Sequence, residues 1–194
     1  MEPRRLCETI ASAQRGSGEA FRELLEAFGP RLYGYFFRAT GSHHDAEDLF
    51  GEMSLRLVRV LSSYDEHGRF EPWLFRIAAN LVRDRIRRSR AGGGVMSMSQ
   101  DIDGDGGTLA EQLPGNSPAA DANMLAAESR LELRQALERL DPVTREMILL
   151  RHFGELSFKE ISQYYRCPLG TVLAKVHRGI KTLRRQMGAN DESE

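Results

Sequence analysis

Residues 141–185 read DPVTREMILLRHFGELSFKEISQYYRCPLGTVLAKVHRGIKTLRR, and their punctuation divides them into three helices. Asp141-Pro142 opens the first, because proline at the first helical position loses no hydrogen bond. Val143, Met147, Ile148 and Leu150 follow at helical spacing, and Gly154 predicts a left-handed stop. Ser157 and Glu160 stand at capping-box spacing before a short helix that ends near Tyr165. The turn Arg166-Cys167-Pro168 restarts the chain at Leu169. On the last helix Val172, Val176, Ile180, Leu183 and Met187 form an apolar stripe. Its other faces carry Lys175, Arg178, Lys181, Arg184 and Arg185, with no acid between Gly170 and Met187. A helix packed on one side and positive on the other suits the major groove of DNA. A solvated basic helix has the same composition, so the stretch predicts a helix-turn-helix without deciding its ligand.

Specific residues narrow the choice. Leu140, Pro142, Arg145, Glu146, Leu149, Arg151, Phe153, Leu156, Ser157, Glu160, Ile161, Gly170, Thr171, Val172, His177, Arg178 and Leu183 resemble region 4 of the sigma-70 family, especially its extracytoplasmic-function (ECF) subfamily. Many regulators end in a similar helix-turn-helix. The other end of the chain discriminates. Residues 45–90, DAEDLFGEMSLRLVRVLSSYDEHGRFEPWLFRIAANLVRDRIRRSR, resemble region 2 of the same subfamily. The resemblance rests on Asp45-Ala46-Glu47-Asp48-Leu49, Glu52, Leu55-Arg56-Leu57, Phe70, Trp73-Leu74, Arg76-Ile77-Ala78, Asn80-Leu81, Asp84 and Arg87-Arg88. It implies a dissociable subunit that binds bacterial RNA polymerase core, directs it to promoters and aids melting. The alternative is a helix-turn-helix regulator with an N-terminal helical sensor or partner-binding domain, which would have no reason to carry the region 2 residues.

The formal net charge of −1 over 194 residues hides a local pattern. Residues 1–90 carry 15 basic and 13 acidic side chains, residues 91–122 no base and five acids, and residues 123–194 twelve bases and ten acids. Six arginines face one acid within 76–90. Phosphates respond to that local charge rather than to the average. Cys7 and Cys167 lack zinc-site spacing, and Cys167, in an apolar turn, reads as a packing residue. No signal-peptide core opens the chain and no run of 18 apolar residues occurs, so a cytoplasmic protein without membrane insertion is expected. No phosphate loop, metal constellation or nucleophile–base set is visible, so catalytic, cofactor and metal residues are expected to be none and the protein not an enzyme.

Helical periodicity dominates, and the fold expected is all-α, with two small helical domains joined by a flexible linker. In the first, residues 1–90, helices are predicted near 4–15, 18–28, 30–40, 43–62 and 72–90, with Gly29-Pro30 and Gly41-Ser42 as breaks. The stripe Ala46, Leu49, Phe50, Met53, Leu57, Val60 and Leu61 is expected to face inward. Residues 91–122 have the glycine, serine, aspartate and proline of a linker. Their 32 residues would span about 30 Å as a coil and about 105 Å stretched. Two promoter elements separated by roughly 50–70 Å lie within that reach. A second helical domain occupies 123–187, opening with a helix through Leu140, and 188–194 form a disordered tail. Asp101-Ile102-Asp103-Gly104-Asp105-Gly106 imitates half a calcium loop, but its twelfth position is Gln112 and flanking helices are missing from the pattern. His43-His44-Asp45 places adjacent residues in different directions on a helix start, which suits capping better than a metal.

The resemblance implies three surfaces. Asp45, Asp48, Glu52, Arg56 and Arg59 on helix 43–62 would dock on polymerase core, although a merely solvated charged face has the same composition. Gly51 there replaces a bulkier residue. The loop Ser63–Arg69 with helix 72–90 would capture bases of the opened −10 element, using Tyr64, Asn80, Arg76, Arg83 and Arg87. Trp73 and Phe75 share a helical face with Ile77, which predicts core packing. Thr171, Leu173, Ala174, Lys175, His177 and Arg178 on the last helix would read the −35 element. Leu173 stands where family members commonly carry a basic residue, which leaves the base preference there open: an apolar side chain can meet a thymine methyl, or pack against the neighbouring domain or an inhibitor. Members of the subfamily often pair with an anti-sigma factor, which makes one a candidate partner.

Overall fold

The computed structural model of the chain describes residues 1–65, 68–91 and 131–188. These residues are helical with short connections, and no strand occurs among them. They fall into two compact units, an N-terminal one and a C-terminal one. Expectations for 92–130 and for the tail beyond 188, including the linker and the calcium-loop imitation, lie outside the described residues.

The N-terminal unit contains α1 (Pro3–Gln14), α2 (Gly18–Thr40), α3 (His43–Val60), a 3-10 turn (Leu61–Ser63) and α4 (Phe70–Ala91). Ser17 caps α2 by accepting the Ala20 N–H at 3.2 Å, and Ser42 caps α3 by accepting the Asp45 N–H at 3.2 Å. Gly41 ends α2 in the left-handed region at φ 75°. The break expected at Gly29-Pro30 is absent, since α2 runs through both. A Cβ at Gly29 would lie 3.3 Å from the Phe50 ring of α3. Packing of Leu24 and Phe28 before the proline, and of Leu32, Tyr35 and Phe36 after it, holds both halves in one core. That burial outweighs the roughly 3 kcal/mol that an interior proline costs.

The core of this unit is aromatic as well as aliphatic. Phe28 and Phe70 rings stand 5.4 Å apart, and Tyr35 meets Phe75 edge-on at 5.8 Å. Ala46, Leu49, Met53 and Leu57 supply the buried face of α3, continued by Leu61 of the 3-10 turn, with Phe50 and Val60 half-buried at its margins. Gln14 of α1 donates to the carbonyls of Leu61 (3.0 Å) and Tyr64 (2.6 Å), tying the first helix to the turn after α3.

The C-terminal unit contains α5 (131–138), α6 (Pro142–Phe153), α7 (Phe158–Tyr165) and α8 (Leu169–Gln186). Asp141 caps α6 by accepting the Thr144 N–H at 3.0 Å. Ser157 and Glu160 complete the capping box of α7 in both directions. Arg145 donates to the carbonyls of Glu138 and Leu140 at 3.0 and 3.4 Å, closing the end of α5 onto α6. Tyr165 of α7 donates to Glu146 of α6 at 2.6 Å.

Two expectations for this unit are corrected. The left-handed residue after α6 is Glu155, at φ 53°, not Gly154, because the helix closes through a Leu156 N–H bond to the Leu150 carbonyl one position later than expected. The buried line of α8 is Val172, Val176 and Gly179, while Ile180 and Met187 are exposed. A Cβ at Gly179 would stand 2.6 Å from Thr144 Cγ2 and 2.7 Å from Ile148 Cδ1. α8 therefore meets α6 backbone-to-side-chain at Gly179, and Ile180, one position round the helix, faces out.

Candidate nucleic-acid interface

Paired α3 and α4 build the first face. Arg85 of α4 forms an ion pair with Asp45 and lies 3.2 Å from Asp48, while Arg88 lies 3.4 Å from Glu52. Burial works against the charge on Arg85, but Asp45 and Asp48 outweigh it and push its pKa up. Asp45 is among the residues expected to dock on polymerase core. Instead its side chain is largely buried against Arg85, because it sits on the flank of α3 that faces α4. Asp48 and Glu52 are about half-exposed and share this flank. Such pairs set the register of the two helices and add little stability each.

Beyond these pairs, Arg56 of α3 joins Asn80, Arg83, Asp84 and Arg87 of α4 around an open cleft of about 430 Å³. Arg56, expected among the polymerase-docking residues, thus stands with the residues expected to hold the −10 strand. Asp84 pairs with Arg87, which keeps one acid among three arginines. Asn80 is exposed and offers the amide edge that can pair with a base, while the guanidinium groups suit phosphate. Arg76 is exposed on α4 but does not line this cleft.

Tyr64, expected to stack on an unpaired base, is corrected to a packing role. It is only 8% exposed, with its ring 5.3 Å from Phe70 and 4.7 Å from Trp73. The turn after α3 folds the ring inward over α4, so no face of it is available to a base. Trp73 is half-buried in the same cluster and Phe75 fully buried, as their spacing predicted.

An apolar pair on the outward side of α3 is not apparent from its charge pattern. Leu55 and Val58 are 66% and 60% exposed, on the side opposite the buried stripe. Gly51 lies one turn before Leu55 with no atom within 4 Å of where its Cβ would be. Plotting α3 at 100° per residue would have put Leu55 at the centre of the outward face. Asp48, Glu52 and Arg59 flank it.

The second face belongs to α8. Thr171, Leu173, Ala174, His177 and Arg178 are exposed. Lys175, expected with them, is turned towards α6, where its Nζ lies 3.7 Å from Asp141 Oδ1. Burial pushes the Asp141 carboxyl up, but hydrogen bonds from Thr144 and the charge of Lys175 outweigh this and hold it below the usual carboxylate range. Lys175 occupies the angular position next to the buried line, which is why it finds Asp141. Arg178 folds back to donate to the Ala174 carbonyl at 3.2 Å. Among the described residues no three His, Cys, Asp or Glu side chains gather as a metal group, and no helix is long and apolar enough to cross a membrane.

The model of sigma-70 region 2 matches residues 24–92, and that of sigma-70, region 4 matches residues 130–183. RNA polymerase sigma factor CarQ of Myxococcus xanthus is 32% identical over 173 residues, covering 89% of this chain and 92% of its own. ECF RNA polymerase sigma factor SigW of Bacillus subtilis (strain 168) is 29% identical over 179 residues, covering 92% and 94%. In fold, the chain is similar to the sigma factor RpoE of Bartonella quintana, solved in complex with the anti-sigma factor NepR, with a TM-score of 0.62, 21% identity and coverage of 88% and 98%. It is similar as well to CnrH, solved with the cytosolic domain of CnrY, with a TM-score of 0.61, 20% identity and coverage of 94% and 97%.

Proposed function

The chain belongs to the ECF subfamily of sigma-70 RNA polymerase sigma factors, and from that membership we propose how its residues divide the work of starting transcription. It is a transcription initiation factor that directs RNA polymerase core to promoters. Residues 1–90 act as region 2, docking on core and holding the opened −10 element, and residues 123–187 act as region 4 on the −35 element.

The outward side of α3 docks on core. Leu55 and Val58 supply apolar area, and Asp48, Glu52 and Arg59 at the rim fix orientation by charge. The cleft holds single-stranded DNA, with Asn80 reading a base and Arg56, Arg83 and Arg87 neutralising phosphate. Arg76 contacts the same strand from the exposed side of α4. Binding energy for unpaired bases offsets the cost of unstacking them, so opening requires no nucleotide hydrolysis by this chain. α8 enters the major groove through Thr171, Leu173, Ala174 and His177, with Arg178 on the backbone. A protein of the anti-sigma class, as in the Bartonella RpoE complex, is a further partner in this proposal.

The observation that carries the reading is the cleft, in which three arginines and one amide converge from two helices within the region 2 match. Core polymerase reconstituted with the chain should make promoter thymines reactive to permanganate around the start site. Asn80→Ala should keep the complex but lose most of that reactivity. Unchanged reactivity in Asn80→Ala would contradict the assignment of the cleft.

A further inference from the structure

The outward surface of the first turns of α8 has an unusual composition for a DNA reader. Gly170 and Ala174 lie one turn apart on the side opposite Val172, Val176 and Gly179, and a Cβ at Gly170 would meet open space. These small residues let the helix backbone approach a surface closely. Beside them stands Leu173, 42% exposed and apolar to its tip. The nearby lysine that could have supplied a donor, Lys175, is drawn away to Asp141. Further along, His177, Lys181 and Arg184 are exposed on the same outward side, and α8 carries no acid from Leu169 to Gln186. An anionic surface approached closely at one apolar point is therefore the partner that fits.

Leu173 has no donor or acceptor to offer the O6, N7, N6, N4 or O4 edges of the bases. The single apolar group that base pairs display in the major groove is the C5-methyl of thymine. We propose that Leu173 is a specificity-determining residue of this chain, selecting thymine in the upstream promoter element by packing against its 5-methyl group. Specificity at that position is apolar, and the surrounding cations supply sequence-independent attraction to phosphate. The proposal rests on the assignment of α8 as the promoter-reading helix. Leu169, exposed one turn earlier, extends the same apolar edge towards the neighbouring base step.

The test isolates one methyl group. The holoenzyme, formed from the full chain and core polymerase, selects its preferred upstream element from duplexes randomised there. Each thymine of the selected duplex is then replaced in turn by deoxyuridine, which differs only by the missing methyl. Wild-type holoenzyme should lose affinity on the order of fourfold at one position, the effect of uncovering about one methyl-sized group. Leu173→Ala holoenzyme should bind the thymine and deoxyuridine duplexes equally. Leu173 is exposed, so the variant is expected to fold, and wild-type helix content and thermal unfolding verify it. Leu173→Arg should exchange the thymine preference for guanine at the same position, since its guanidinium pairs with O6 and N7. Equal sensitivity to deoxyuridine in wild type and Leu173→Ala, or none in either, overturns the proposal while footprinting of the upstream element leaves α8 as its reader. Indifference of the holoenzyme to deletion of the whole upstream element overturns both.

Discussion

The carboxylate that caps α6 also holds a lysine of α8: Asp141 accepts the Thr144 N–H at 3.0 Å and lies 3.7 Å from Lys175 Nζ. One acid thus fixes both the start of α6 and the setting of α8. Asp141→Ala removes cap and ion pair together and should cost about 1 kcal/mol, whereas Asp141→Asn keeps a capping oxygen and should cost less. The folded-state pKa of Asp141 is depressed, so its charge contributes stability that is full above the unfolded value near 3.9 and is lost as pH falls through the folded value. Thermal unfolding from neutral pH down to strongly acidic pH should show a decrement in wild type that Asp141→Asn lacks. Lys175→Ala should leave the ranking of upstream-element variants unchanged. A changed ranking would restore Lys175 to the bases.

Gly179 should tolerate no side chain without cost. Its missing Cβ leaves room for Thr144 Cγ2 and Ile148 Cδ1, which would otherwise stand at 2.6 and 2.7 Å. Gly179→Ala forces α8 away from α6 and should destabilise by about 1–3 kcal/mol in urea unfolding, despite alanine's better helix propensity. Thr144→Ser together with Ile148→Val removes the two opposing methyl groups and should recover part of the loss. A neutral or stabilising Gly179→Ala would mean that the helices move apart freely.

Core binding should depend on the apolar centre of α3. Leu55→Ser with Val58→Ser should weaken binding to core polymerase at least tenfold, about 1.4 kcal/mol, while helix content by circular dichroism is unchanged. Glu52 serves both as a rim charge and as the partner of Arg88. Glu52→Lys should weaken core binding, and adding Arg88→Glu should restore the pair between α3 and α4 without restoring core affinity. Full recovery in the double variant would assign Glu52 to helix register alone.

Arg56 should behave with the cleft rather than with the docking face. Arg56→Ala is expected to leave core affinity within about twofold and to reduce open-complex formation, as Asn80→Ala does. Stopped-flow fluorescence of a labelled downstream element would separate the two steps. A loss of core affinity with normal opening kinetics would return Arg56 to the docking surface.

Local chemistry was legible where it satisfied itself within a few residues. The Ser157–Glu160 capping box, the Gly41 stop and the Pro142 start needed no tertiary information. The continuous α2 was not legible, because what carries the helix through Pro30 is burial on both sides of it. Likewise the periodic stripe of α8 led to Ile180, whereas the contact with α6 runs through Gly179, whose importance lies in an absent atom. Charged residues were the least legible. Helix face alone does not place Asp45, Arg56 or Lys175, each of which is set by a partner on another helix: Arg85, the Asn80 cleft and Asp141. Tyr64 looked like a loop residue but closes the aromatic cluster with Phe70 and Trp73.

Promoter choice by RNA polymerase core should depend on this chain. The most direct measurement is multiple-round transcription in vitro, with purified core polymerase, the chain and a supercoiled template carrying the promoter selected by the holoenzyme. A single discrete transcript should require the chain, be lost when either promoter element is scrambled, and fall sharply with Asn80→Ala or Leu55→Ser/Val58→Ser. Transcripts identical in the presence and absence of the chain, with no complex between chain and core, would contradict it.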